Sequence, residues 1–213
     1  MGAIAAKFGG SSLADANHFK KVRAIIEADD RRRYVIPSAP GKRYSRDRKV
    51  TDLLYACYEN AGEKETFNPL FDRIEKRYRE IIADLNLDFD IGPMLKEVRR
   101  TIRSGASADY TASRGEYLNG LIMAAYLKYD FVDPAEMIFF DTEGRYDHEA
   151  SRKAVAERLS RHDQAVIPGF YGSGPDGSIK TFTRGGSDIT GAIVAGAIGA
   201  ELYENWTDVD GFL

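Results

Sequence analysis

Ala3-Ile4-Ala5-Ala6-Lys7-Phe8-Gly9-Gly10-Ser11-Ser12-Leu13-Ala14-Asp15 is the stretch that decides the fold. Ala3 to Phe8 is an apolar run of strand length interrupted only by Lys7, and the glycine pair ends it. Beyond it Phe19, Val22, Ile25 and Ile26 fall on one face of a helix, and Ser12 with Asp15 fits a capping box that opens that helix. A strand that passes through a glycine turn into a helix is half of a crossover unit, because parallel strands cannot be joined by a tight turn. The same order recurs outward from this segment. Tyr34 to Pro37, Met137 to Phe140, Ala165 to Ile167 and Leu202 to Trp206 are further strand-length apolar runs. The expectation is an α/β fold, a three-layer α/β/α sandwich around a mostly parallel central sheet.

Residues 50–129 contain no convincing strand and are expected to form a helical subregion of three or four helices. Phe67, Leu70, Phe71, Ile74, Tyr78, Ile81 and Leu85 mark one apolar face, and Leu118, Leu121, Ile122 and Ala125 another. Gly172 to Gly177 matches G-x-G-x-x-G, but it leads into the short apolar segment Ser178 to Phe182, where a dinucleotide fold demands a helix. Its Pro175-Asp176-Gly177 predicts a β-hairpin instead. The basic trio Arg31 to Arg33 is expected at a helix C-terminus, where cations oppose the negative end of the dipole.

Composition narrows the function. With 213 residues, 43% hydrophobic and 30% charged, the chain has the means to bury a core and is not a disordered segment. Thirty Lys plus Arg against 33 Asp plus Glu leave a net charge of -3, so no global positive field exists to hold nucleic acid. The single cysteine, Cys57, excludes an internal disulfide or a cysteine-cluster metal site, and we expect no metal centre. The same usage suits a cytoplasmic protein, and no apolar run is long enough to predict a membrane span. No Walker-type G-x-x-x-x-G-K-[ST] occurs, which excludes a P-loop enzyme.

Five segments carry chemistry. Lys7-Phe8-Gly9-Gly10-Ser11-Ser12 combines a full positive charge with glycines at a strand-to-helix turn, a combination suited to an anion. Ser38-Ala39-Pro40-Gly41 follows the second strand, with Thr51-Asp52 opening the next helix. Ligands in open α/β sheets sit beyond the carboxyl ends of the strands, which puts both segments on the ligand edge. Ser113-Arg114-Gly115-Glu116 places a glycine within a helical pattern at a cost of about 1 kcal/mol against alanine, so that glycine needs a packing or ligand reason. Thr183-Arg184-Gly185-Gly186-Ser187-Asp188 offers a guanidinium fork beside glycine N–H groups. Thr207-Asp208-Val209-Asp210-Gly211 follows the last strand.

Taken together and in this order, the five segments resemble the catalytic domain of aspartate kinases, of the amino-acid kinase superfamily, over essentially the whole chain, 1–213. The resemblance implies transfer of the ATP γ-phosphate to the side-chain carboxylate of L-aspartate, with Mg²⁺, in a homodimer serving lysine, threonine and methionine biosynthesis. It implies that Lys7, Gly9, Gly10 and Ser11 hold phosphates, that Ser38 and Ala39 flank the transferring group, and that Thr207 and Asp208 touch the nucleotide. Thr51, Glu116, Arg184 and Asp188 would bind aspartate, with Lys7 and Asp188 the catalytic pair. In the family Asp-Gly is followed by a segment with further nucleotide contacts and by regulatory domains. The expectation is therefore that residues 1–213 alone are a fragment with little activity. Glutamate as the acceptor, or a non-catalytic amino-acid-binding role, stay open as alternatives.

Overall fold

The computed structural model describes residues 2–183 and 185–207. Strand β1 (Ile4–Phe8) runs through the glycine pair into a short 3-10 turn (Ser11–Leu13), then α1 (Ala16–Glu27) and β2 (Arg32–Pro37). The Ser12 capping box does not form. The 3-10 turn uses the Ser12 N–H on the Gly9 carbonyl at 3.0 Å, and the α-helix starts later, capped by Asp15, which accepts from the His18 N–H at 3.0 Å. The Arg31 to Arg33 expectation is also corrected. The helix ends at Glu27, and Arg32 and Arg33 belong to β2. Part of the expectation survives, since Arg32 Nη1 donates to the Ile25 carbonyl in the last turn of α1 at 2.6 Å, but Arg31 and Arg32 are held mainly by carboxylates. Arg32 grips Glu204 with bonds of 2.8 and 3.0 Å and lies 5.5 Å over the Trp206 ring, while Arg31 pairs with Asp29 and Glu201.

Four helices follow without a strand between them: α2 (Val50–Glu59), α3 (Lys64–Asp84), α4 (Gly92–Arg103) and α5 (Ala108–Leu127). The chain continues through β3 (Asp130–Phe131), α6 (His148–Leu159) and β4 (Ala165–Val166). The hairpin β5 (Tyr171–Ser173) with β6 (Ile179–Thr181), α7 (Gly186–Ile198) and β7 (Leu202–Trp206) complete it. The sheet order is β3-β4-β2-β1-β7, parallel throughout, and the antiparallel hairpin stands apart as anticipated. Met137 to Phe140 is not a strand of this sheet. It is largely buried, begins in the turn that ends at Met137, and makes only isolated bridges, Phe139 to Ser173 and Phe140 to Tyr146. The two-residue β3 takes the sheet edge instead.

Alternation along the strands separates two cores. Ala6, Phe8, Val35 and Val166 face the layer that includes α1 to α5, and Ala5, Ile36, Ala165 and Ile167 face α6 and α7. On α3, Phe67, Phe71, Ile74, Tyr78 and Ile81 are buried along one face, each side chain worth roughly 1.5–3 kcal/mol of burial. The same period of two turns Lys7 toward α7. Phe8 lies in register with both Pro37 and Trp206, so the carboxyl ends of β2, β1 and β7 form one edge, and the loops leaving them meet there.

Candidate functional site

A cleft of about 580 Å³ opens at that edge, lined by the Gly9-Gly10-Ser11 turn, residues 38–42, Lys49, Thr51, Glu116 and Thr207. Two glycines bring its walls into contact. A Cβ on Gly10 would lie 2.7 Å from the Ala39 carbonyl oxygen, and one on Gly41 would lie 2.7 Å from that of Gly10. The gap is bridged by the Gly41 N–H, which donates to the Gly10 carbonyl at 2.8 Å. The Gly9 N–H is held differently. It donates to the Trp206 carbonyl at 3.0 Å, which ties the turn to β7 and leaves Gly9 no backbone donor for a ligand.

Lys7 is 8% exposed in the central strand. Its Nζ meets Asp188 Oδ1 at 2.7 Å, in the first turn of α7, and donates to Asn205 Oδ1 at 3.2 Å. Asn205 closes the triangle, donating through Nδ2 to Asp188 Oδ1 at 3.0 Å. Asp188 keeps 47% of its side chain exposed, so this ion pair is open to a competing anion. Asn205 was not among the residues singled out from the sequence. Its signal was available only through strand register, since it lies directly opposite Lys7 in the parallel ladder.

Glu116 reaches the cleft from α5. The helix approaches the Ser38–Ala39 loop so closely that a Cβ on Gly115 would stand 2.8 Å from the Ala39 Cβ, which is the packing reason this glycine required. Glu116 is 6% exposed, and its Oε2 has no hydrogen-bond partner among the described residues. Burial pushes its carboxyl up to about 7, against the pull of the Ala39 N–H and the charge of Arg114. Arg114 itself is buried among the rings of Tyr110, Tyr117 and Tyr171, at 4.6, 4.4 and 5.2 Å. One turn beyond Glu116, Asn119 donates to the Ser38 carbonyl at 2.7 Å, so Glu116 and Asn119 hold the two ends of one peptide group. Asn119, too, was not singled out from the sequence, and a polar residue within a mostly apolar helix was its only mark.

Thr51 lies in the first turn of α2 and does not cap it; Lys49 occupies the cap position, with no side-chain bond, and Thr51 lines the cleft. Thr207 lines the opposite end. The structure thus gathers Gly9, Gly10, Ser11, Ser38, Thr51, Glu116 and Thr207 around one cavity, with Lys7 and Asp188 joined beneath the Gly9 turn. Arg184 and Asp208 lie outside the described residues. The Lys7, Lys42 and Lys49 ammonium groups suit a polyphosphate, and one buried carboxylate short of a donor suits a cation with several N–H groups.

The model of the amino acid kinase family matches residues 3–213. Aspartokinase 3 of Bacillus subtilis is 37% identical over 218 residues, an alignment that covers 96% of this chain and 48% of that protein. The lysine-sensitive aspartokinase 3 of Escherichia coli is 28% identical, over 98% of this chain and 49% of its own length. Among solved structures, that of Clostridium acetobutylicum aspartate kinase is 53% identical with a TM-score of 0.97, covering 100% of this chain and 49% of its own. The structure of E. coli aspartokinase III in complex with aspartate and ADP is 26% identical with a TM-score of 0.83, over 98% of this chain and 50% of its own. The chain spans about half the length of these relatives.

Proposed function

The chain belongs to the amino acid kinase family, and from that premise we propose that it forms the catalytic region of an aspartate kinase, which transfers the γ-phosphoryl group of MgATP to the side-chain carboxylate of L-aspartate. The observation that carries the reading is Glu116, a buried carboxylate whose Oε2 has no hydrogen-bond partner among the described residues and which lines the same cleft as the glycine turn above Lys7. An α-ammonium supplies an N–H donor to the oxygen that lacks one. Aspartate and ADP in the E. coli relative support the same pair of ligands here.

In this reading Glu116 takes the ammonium, Thr51 and Arg184 donate to the carboxylates of aspartate, and Asp188 acts at the substrate through its ion pair with Lys7. Lys7, Gly10 and Ser11 face the phosphates, with Ser38 beside the transferring group and Thr207 and Asp208 toward the nucleotide. Gly9 serves by anchoring the turn to β7 rather than by donating. A carboxylate oxygen of the substrate attacks the γ-phosphorus, the bond to the β–γ bridging oxygen breaks, and ADP leaves. No base is needed, because the attacking carboxylate is already ionised at neutral pH. Catalysis is then positioning and charge, and Lys7 is the charge closest to the transferring group. From the resemblance come the finer parts of the proposal, a homodimer in the cytoplasm feeding the lysine, threonine and methionine branches.

The test is aspartate-dependent ADP release by this chain extended to the full length of its relatives, as wild type and as Lys7→Ala. We expect kcat to fall by about 100-fold or more in the variant while the KM for aspartate changes little, because Lys7 acts on charge that moves in the transition state. Equal turnover with glutamate would move the assignment to another acceptor. Unchanged kcat in Lys7→Ala would remove Lys7 from the mechanism.

A further inference from the structure

Arg77 stands outside the cleft, on α3, and is 4% exposed. Its guanidinium nevertheless reaches both loops that wall the cleft. Nη1 donates to the Gly41 carbonyl at 2.9 Å and to the Ala14 carbonyl at 3.4 Å, and Nη2 pairs with the buried carboxylate of Asp47. Asp47 accepts in addition from the Arg43 N–H at 3.1 Å, Arg43 Nε at 2.9 Å and the Arg48 N–H at 3.0 Å. Burial would raise its carboxyl, but the Arg43 hydrogen bonds and the charges of Arg77 and Arg43 outweigh that and hold it well below the usual range. The pair therefore stays ionised.

The contacts run in series. Arg77 holds the carbonyl of Gly41, the N–H of Gly41 holds the carbonyl of Gly10, and the same guanidinium holds Ala14, which ends the 3-10 turn after the glycines. A Cβ on Gly41 would strike the Gly10 backbone and one on Gly10 the Ala39 carbonyl, so a shift of either loop moves the other. Taking an ion pair out of water is costly, and an apolar pair of similar volume often stabilises a fold as well or better. An apolar pair cannot orient carbonyl groups. We propose that Arg77 is a positioning residue for the nucleotide phosphates, fixing the Gly10 and Gly41 backbones at the cleft wall from behind. This rests on the kinase reading above, and it assigns to the helical subregion a part in phosphate binding.

The decisive variant is R77M/D47L, which removes both charges together and keeps the volume, assayed by calorimetry with MgADP and separately with L-aspartate. The expected result is a folded protein, destabilised by the loss of the Arg43 and Arg48 bonds to Asp47, with affinity for MgADP weakened by about tenfold or more and affinity for aspartate within about threefold. Amide exchange at Gly41 should quicken in the same variant, because its carbonyl loses its donor. Should the double variant fail to fold, R77K decides. Lysine keeps the charge for Asp47 but has no fork to span two carbonyls, so weaker MgADP binding with faster Gly41 exchange is again expected. Wild-type MgADP affinity in a folded variant, or parallel loss of both ligands, would overturn the positioning role. A wild-type protein that binds aspartate but not MgADP would overturn it as well, whereas one that binds neither would overturn the kinase reading itself.

Discussion

Glu116 illustrates how a binding group is held at a cost to the fold. Burial raises its carboxyl from 4.5 to about 7. The folded protein therefore binds a proton that the unfolded chain has lost between those values, and stability falls as pH rises through that window. The displacement corresponds to a penalty on the order of 3 kcal/mol above pH 7. We predict that Glu116→Gln is more stable than wild type at pH 8 and nearly equal to it at pH 4.5, as read from urea unfolding at the two pH values. A loss of stability in Glu116→Gln at pH 8 would mean that the carboxylate has a partner in the folded protein. Lys7, Glu116 and Asp188 were visible in the sequence because each sits in a segment with its own glycine signature. Asn205 and Asn119 were not. One is defined by its place opposite Lys7 in a ladder between strands 198 residues apart, the other by a loop 81 residues away. Contacts of that separation leave no local mark.

At the level of elements, what could be read depended on how much of an element's character was local. The hairpin was legible because Pro175-Asp176-Gly177 dictates a tight turn whatever surrounds it. The edge strand β3 was not, since two residues, Asp130 and Phe131, are too short to show a period. Met137 to Phe140 has the composition of a strand, but burial, not ladder pairing, is what its apolar residues serve. Gly115 is the clearest case in which propensity pointed to contact. Alanine there would gain about 1 kcal/mol of helix propensity. Its methyl would meet the Ala39 Cβ at 2.8 Å and Leu54 Cδ1 at 3.2 Å, and α5 would have to withdraw from the loop. We predict that Gly115→Ala is destabilised by roughly 1–3 kcal/mol in chemical denaturation and binds aspartate more weakly, because Glu116 moves with the helix. A variant more stable than wild type would show that α5 is free to shift.

Across the whole molecule, the parallel order of β2, β1 and β7 does most to build the site. It brings to one edge three loops from distant parts of the chain, and the alternation of β1 aims Lys7 at the first turn of α7, where Asp188 meets it. This architecture was legible because strand-length apolar runs separated by amphipathic stretches admit few other arrangements. The closeness of the loops was not, since it depends on Arg77, Gly10 and Gly41 acting together. The central claim, that Glu116 receives the ammonium of aspartate in this cleft, is tested most directly by calorimetric titration of L-aspartate between pH 5.5 and 8.5. Only the ionised carboxylate can pair with the ammonium, so affinity should rise up to tenfold per pH unit below about 7 and level off above it. A proton should be released on binding below that point, and Glu116→Gln should show neither the affinity nor the release. Binding of equal strength across this range in both proteins would contradict the account.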